Sequence, residues 1–141
     1  MRVSILIVCF LFLSGCVAPI TKDQLRQHSS YKVDFEINKP YQQVFSDLLR
    51  QTRVCYLNKP TKRQITVVGN RDNGKKIGNI MVEEVYAMAE HDAYLLIDVV
   101  SKTENLTTVS AYISAKAQEE VDSVKAWATE NSKECHVKWL S

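Results

Sequence analysis

The sequence predicts an α+β fold in which an antiparallel sheet of about five strands has two helices packed on one face. Three patterns predict it: a strictly alternating segment at 31–37, an amphipathic helix that follows it directly, and a second helical stripe near the end of the chain. Four further strand-like segments lie between the two helical stripes. Covering one face of the sheet with both helices would bury every apolar stripe.

The first strand and the first helix have the clearest patterns. Between Tyr31 and Ile37, apolar and charged residues alternate without a break, as in a strand with one buried and one solvated face. Pro40 then suits a first helical turn, with Asn38 as a candidate cap. Apolar residues recur at helical spacing from Tyr41 onward, so a helix is expected from Pro40 to about Arg53.

The remaining elements follow in the order of four strands and one helix. The strands are expected at 64–68, 76–88, 94–101 and 106–113, and the helix at 114–130. The segment GNRDNG, Gly69 to Gly74, is rich in turn residues, and its last two residues, Asn73 and Gly74, favour a tight hairpin turn. Alternation slips near Glu83 and Glu84, which predicts a bulge or a bend there.

This order of elements is similar in outline to the helix-grip fold of START and plant-allergen-type ligand carriers. In that family a long C-terminal helix lies across a curved sheet and closes a ligand cavity. The helices that the family has after its first strand are missing here. The resemblance implies a cavity between the C-terminal helix and the sheet, and a flat two-layer sandwich is the alternative architecture.

Composition limits the classes of function. The chain has 141 residues, of which 45% are apolar and 24% charged, as in one folded domain with a modest core. The formal net charge is +2, and without residues 1–15, which include Arg2, 17 basic residues face 16 acidic ones. This balance argues against a nucleic-acid-binding protein built on a large basic field.

The amino terminus has the layout of a secretory signal. Arg2 precedes an apolar run, Val3 to Leu13, that is too short to cross a hydrocarbon layer of about 30 Å. The residues Leu13, Ser14, Gly15 and Cys16 resemble the lipobox of bacterial lipoproteins. An ordinary cleaved signal with an accidental Cys is the alternative.

The lipobox resemblance implies where the protein is located. In that family the signal, here residues 1–15, is removed, and the Cys, here Cys16, receives a diacylglycerol and usually an amide-linked acyl chain such as palmitate. Two or three chains anchor a protein nearly permanently. Val17 stands where an inner-membrane retention signal typically has Asp, which implies the periplasmic face of a bacterial outer membrane; the inner membrane or a Gram-positive cell membrane is the alternative.

The mature chain is expected to have two parts. Residues 16–30 are polar, include Pro19 and show no sustained period, so they are interpreted as a lipidated tether with a reach of about 50 Å. Residues 31–141 form a single α+β periplasmic domain. Cys9 leaves with the signal and Cys16 carries lipid, so a Cys55–Cys135 disulfide is expected. A metal or redox pair that includes His136 is the alternative.

No catalytic or metal-binding constellation is recognisable, and no cofactor is expected. Glu90, His91 and Asp92 have suitable residue types, but adjacent residues point in different directions and a turn is expected there. Asp98 is interpreted as a solvated acid, with a buried acid as the alternative. The chain has no GxSxG, GxGxxG or P-loop motif, so we expect a protein that is not an enzyme.

Two features bear on partners. Basic residues cluster at Arg50, Arg53, Lys59, Lys62 and Arg63 and again at Arg71, Lys75 and Lys76, where anionic lipid or an acidic partner could bind; a solvated surface is the alternative. Trp127 lies one step off the stripe of the last helix, so it is the candidate partner contact, with a role in the core as the alternative.

The function predicted from these features is a membrane-anchored envelope lipoprotein that acts as a non-enzymatic binding module. It is held at the membrane through acylated Cys16, and its partner is an envelope protein or lipid. Two alternatives remain at this point. One is a lipid or small-ligand carrier with a cavity between the C-terminal helix and the sheet. The other is a periplasmic inhibitor or immunity protein with a protruding loop at Gly69 to Gly74.

Overall fold

The computed structural model describes residues 19–58, 63–86, 91–117, 120–130 and 132–135, apart from the side chains of Lys116 and Val121. Along the chain the elements are α1 (Lys22–His28), β1 (Tyr31–Ile37), α2 (Tyr41–Leu57), β2 (Gln64–Asp72), β3 (Ile77–Val85), β4 (His91–Thr103), β5 (Leu106–Ile113) and α3 (Glu120–Thr129). The predicted signal peptide and the lipidation site Cys16 lie outside the described residues.

The five strands form one antiparallel sheet in the order β1-β5-β4-β3-β2. The α+β class and the sheet predicted from the sequence are therefore confirmed. Helices α2 and α3 pack on one face, as expected, and the third helix, α1, packs against β4 and β5 on the other face. No helix in the described ranges is long and apolar enough to cross a membrane.

The two ends of the sheet are distinguished by strand pairing. Tyr31, Gln64, Val85, His91 and Ile113 lie together at one end, which we call the proximal end. The opposite, distal end holds the β2–β3 and β4–β5 turns. This polarity matters because the N-terminal segment reaches the sheet at the proximal end.

Helix α2 supplies most of the main core. It extends past the expected end at Arg53 to Leu57, and Pro40 is its N-cap, without a side-chain cap from Asn38. Its stripe of Val44, Phe45 and Leu48 is buried against the sheet. The apolar periodicity was therefore a sound guide to this helix.

Two glycines let α2 approach the sheet closely. A Cβ atom at Gly78 would lie 2.7 Å from the Phe45 ring and 3.0 Å from the Tyr41 hydroxyl, and a Cβ atom at Gly69 would lie 2.8 Å from the Leu49 side chain. All three distances are below ordinary van der Waals contact. The absence of side chains on β2 and β3 at these positions thus sets the distance between the helix and the sheet.

A bulge interrupts the pairing of β3 with β4. Val82 pairs with Leu95 and Glu83 pairs with Ala93, so Tyr94 is the extra residue. The bulge was predicted near Glu83, but its effect on β4 was not: Tyr94 joins the core under α2 and α3, whereas Leu96 packs under α1. An unbroken strand would place Tyr94 and Asp98 on the same face, and this bulge separates them.

The segment interpreted as a tether contains α1, which corrects the predicted boundary between tether and domain. Thr21 and Gln24 form a capping box at the start of α1. Leu25 is 2% exposed and packs with Ala93 and Leu96. The folded unit thus includes residues 19–30, which precede the predicted boundary at Tyr31.

The β2–β3 hairpin also differs from expectation. Strand β2 continues through Gly69 to Asp72, and the chain turns over four residues, in which Lys76 rather than Gly74 has a positive φ of 54°. Asp72 Oδ1 accepts a hydrogen bond from Lys75 N (3.0 Å) and stabilises this longer turn. A two-residue turn at Asn73 and Gly74 is therefore not formed, and Gly69 to Asp72 do not protrude.

The C-terminal part is fixed by Trp127 and by a disulfide. Helix α3 starts at Glu120 after a short 3-10 turn, later than the predicted Ser114. The predicted pair Cys55 and Cys135 forms a disulfide with a Cα–Cα distance of 5.3 Å. Trp127 is 2% exposed and its Nε1 donates to the Glu134 carbonyl (2.8 Å). Its predicted role as a partner contact is therefore corrected, because the indole is part of the core.

We expect Gly78→Ala to destabilise the protein by about 1–3 kcal/mol, because the added methyl group would overlap the Phe45 ring. Thermal unfolding followed by circular dichroism would measure the change. Gly74→Ala is the matched control, since its Cβ would meet only Asp72 Oδ1 at 3.3 Å and its φ is not positive. Equal stability of the two variants would contradict the close approach of α2.

Candidate functional site

The N-terminal segment is attached to the proximal end of the sheet. Ile20 N donates to Asp92 Oδ1 (3.0 Å), and Ala93 N donates to the Ile20 carbonyl (3.0 Å). Arg26 on α1 then makes a bidentate contact with Asp98, with both N–O distances at 2.9 Å. The interpretation of Asp98 as a solvated acid is therefore corrected: it is the partner of Arg26, and it fixes α1 on the sheet.

An open cavity of about 400 Å³ lies between α1 and the proximal end. Its size falls within the range of small-molecule sites, about 300–1,000 Å³. Its lining residues are Ile20, Gln24, Leu25, His28, Ser30, Tyr94, Ser114 and Ala115. The cavity thus exists only because α1 and the segment before it belong to the domain.

Ser114 is the unusual polar residue of this lining. It is 7% exposed, and its backbone N donates to the Tyr94 carbonyl (2.9 Å). Its Oγ is buried, and nothing among the described residues lies within hydrogen-bonding distance of it. Buried hydroxyl groups nearly always have a partner. Ser114 Oγ is therefore buried behind the surface of the cavity and is not exposed to it.

One of the lining residues, Tyr94, belongs to a carboxylate–tyrosine network. Glu84 Oε2 accepts hydrogen bonds from Tyr94 Oη, from Tyr86 Oη (3.0 Å) and from Arg63 Nη1 (3.1 Å). Burial opposes ionisation of Glu84, but the hydrogen bonds from Tyr94 and Tyr86 and the charge of Arg63 outweigh it, and the pKa of Glu84 lies below its usual value. The carboxylate is therefore ionised and locked in place at neutral pH.

The same network suppresses acid–base reactivity at Tyr94. Burial first, and then the hydrogen bond to Glu84, raises the pKa of Tyr94 well above its usual value. A phenol in that state is neither a nucleophile nor a base at neutral pH. Glu84, whose Oε2 accepts from three donors, lacks the raised pKa of a general acid. The arrangement favours binding over proton transfer.

The side chains of His91 and Asp92, which were predicted to lie in a turn with Glu90, have different partners in the structure. Glu90 lies outside the described residues, whereas His91 and Asp92 start β4 rather than a turn. His91 Nδ1 lies 3.4 Å from Glu83 Oε2, and Asp92 holds the N-terminal segment. Within the described ranges no cluster of His, Cys, Asp and Glu could hold a metal ion. These side chains have structural roles.

Three basic residues of the two predicted clusters lie beside acidic side chains. Arg63 is engaged by Glu84, Arg50 lies 3.2 Å from Asp47, and Lys75 lies near Asp72. Lys59 and Lys62 lie outside the described residues. Acidic neighbours thus balance the charge of these three residues, which favours the solvated-surface alternative at their positions.

The cavity suggested by the helix-grip resemblance is not where that resemblance implies. Val124, Trp127 and Ala128 of α3 fill the space over β1 and β5 with buried side chains. A groove of about 600 Å³ does exist beside α2, but its lining is mainly polar and charged: Gln43, Asp47, Arg50, Gln51, Val54, Trp127, Ser132 and Lys133. The mainly apolar cavity lies under α1 instead.

Sequence reasoning missed this site for an identifiable reason. A helix of seven residues with one buried side chain, Leu25, has no apolar period to detect. The Thr21-x-x-Gln24 capping box was the available signal. Comparison of the chain with protein-family models and with curated proteins finds no match. Function is therefore inferred from the residues of this chain.

We expect Tyr94→Phe to destabilise the protein by about 1–3 kcal/mol, because buried Glu84 would lose a hydrogen-bond donor. Tyr86→Phe is the matched control, since Tyr86 is 40% exposed and water can replace its hydroxyl. Chemical denaturation at pH 7 would measure both variants. A smaller loss for Tyr94→Phe than for Tyr86→Phe would contradict the assigned network.

Acid should weaken the fold through Glu84. Its folded-state pKa lies below the ordinary value of 4.5, so the unfolded chain binds the proton more readily and stability falls as pH falls. The contribution is complete above about pH 4.5 and is lost as pH falls through the folded-state pKa. Glu84→Gln should flatten this part of the stability–pH profile, whereas Glu104→Gln, in the exposed β4–β5 turn, controls for the loss of one charge.

Proposed function

We propose that the protein is a bacterial envelope lipoprotein whose folded unit is a non-enzymatic binding module held against the membrane by acylated Cys16. The sequence Leu13-Ser14-Gly15-Cys16 supports the anchor. The attachment of Ile20 to Asp92 and Ala93 supports the arrangement of the domain behind it. The periplasmic face of the outer membrane remains the proposed location.

The observation that bears most on mechanism is the short distance between the anchor and the fold. Only Val17, Ala18 and Pro19 separate Cys16 from Ile20, a reach of at most about 14 Å. The 14-residue tether expected from the sequence would have reached about 50 Å. A short link confines the domain near the bilayer and directs its proximal end toward the lipid. It also raises the effective concentration of the module near any membrane-bound partner.

The two alternative functions fare differently. An inhibitor with a protruding loop at Gly69 to Gly74 loses its main support, since Gly69 to Asp72 are paired in β2. A carrier of lipid or another small ligand gains support from the cavity of about 400 Å³ under α1. A binding module with a ligand cavity at its proximal end accommodates both the anchor and the cavity.

The anchor is tested by metabolic labelling with a radioactive or alkyne-tagged fatty acid. We expect the wild-type chain to take up label and to sediment with membranes. Cys16→Ala should abolish labelling and cleavage next to Cys16, whereas Cys9→Ala, within the proposed signal, should leave both unchanged. Labelling that persists in Cys16→Ala would refute the assigned acylation site.

The orientation is tested by placing a photoreactive amino acid at either end of one hairpin. Gln64 is exposed at the proximal start of β2, and Asn73 lies in the distal turn, about 27 Å away along the strand. In membranes bearing the lipidated chain, we expect irradiation to crosslink position 64 to phospholipid much more strongly than position 73. Equal crosslinking at both positions would contradict the short link between Cys16 and the sheet.

A further inference from the structure

We propose that the cavity under α1 binds a single acyl chain. This inference deepens the proposed function, because the position of the cavity beside the bilayer rests on that function. The chemistry of the cavity does not depend on the anchor. The two can therefore be tested separately.

The walls of the cavity suit an apolar ligand. Leu25 supplies a buried apolar surface, Tyr94 also belongs to the lining, and the small Ala115 leaves space beside them. Ile20 is 39% exposed even though its backbone is hydrogen-bonded to the sheet. A bound chain would cover this exposed side chain and gain from its removal from water.

The lining suits a neutral chain rather than a charged headgroup. Among the described residues, the lining holds no Lys, Arg, Asp or Glu. A phosphate or a nucleotide would find no charge partner beyond the imidazole of His28.

Two sources of such a chain are within reach. Cys16 precedes Ile20 by four residues, so the mouth of the cavity lies within about 14 Å of the proposed diacylglycerol. The acyl chains of Cys16 itself can therefore reach the cavity, and so can lipids of the facing bilayer. The recognised chemistry is the same in both cases.

The binding test uses the mature chain from residue 16, with Cys16→Ser, exported behind an ordinary cleavable signal. Saturated fatty acids of increasing length would be titrated and followed by native mass spectrometry and calorimetry. We expect one ligand per chain, with affinity rising about fourfold for each added methylene until the cavity is full. Absence of a one-to-one complex, or affinity independent of chain length, would overturn the proposal.

Two variants locate the ligand. Ala115→Leu should fill the cavity and reduce affinity at least tenfold, whereas Ala126→Leu, on α3 at the opposite face, should leave it unchanged. Unchanged binding in Ala115→Leu would overturn the assigned cavity.

The source is identified in cells fed a photoreactive diazirine fatty acid. After irradiation of membranes, a crosslink from the Cys16 peptide to a cavity-lining peptide would identify the protein's own chain. An adduct with the mass of a phospholipid on the same peptides would identify a bilayer lipid. Either adduct supports the proposal, and crosslinks only outside the lining overturn it. Failure of labelling at Cys16, with binding by the Cys16→Ser chain intact, would refute the anchor and leave the cavity assignment standing.

Discussion

One extra residue in β4 determines how the proximal end of the molecule is built. Because Tyr94 has no partner on β3, the alternation of side chains between the two faces of the sheet shifts by one residue there. Ala93 packs under α1, whereas Tyr94 packs in the core under α2 and α3. Before the bulge, Ala93 receives the N-terminal segment and Leu25 of α1. At the bulge, the hydroxyl of the Tyr94 side chain, whose ring is in the core, donates to Glu84. Without this residue, α1 and the core beneath α2 would not meet at one site.

The network around Glu84 shows why a buried carboxylate need not indicate catalysis. Glu84 comes from β3, Tyr94 from β4, and Arg63 from the residue before β2, so three segments meet at one charge. Satisfying a buried ion in this way fixes the relative positions of the segments. The network thus has a structural role: it holds three segments together at the proximal end of the sheet.

How much of the structure could be predicted from the sequence depended on how far apart in the sequence the interacting residues are. Alternation in Tyr31–Ile37 and the stripe of α2 are local patterns backed by burial, and they predicted the sheet and its main cover correctly. The Cys55–Cys135 pair followed from counting. The facing of Tyr94 and the docking of α1 depend on contacts between residues about 70 positions apart, such as Ile20 with Asp92 and Arg26 with Asp98. One buried Leu25 leaves no periodic trace, so the cavity could not be predicted.

The position of the disulfide has a mechanical consequence for a chain held at its amino terminus. The covalent loop runs from Cys55 to Cys135, so α1, β1 and most of α2 lie outside it. A pull from the membrane would act first on the hydrogen bonds of Ile20 and on the Arg26–Asp98 pair. These would yield before any strand inside the loop, because a small segment with few buried contacts opens at a lower free energy than the whole domain. Under force, the amino-terminal attachment would thus detach first, and the part of the chain inside the disulfide loop would remain folded.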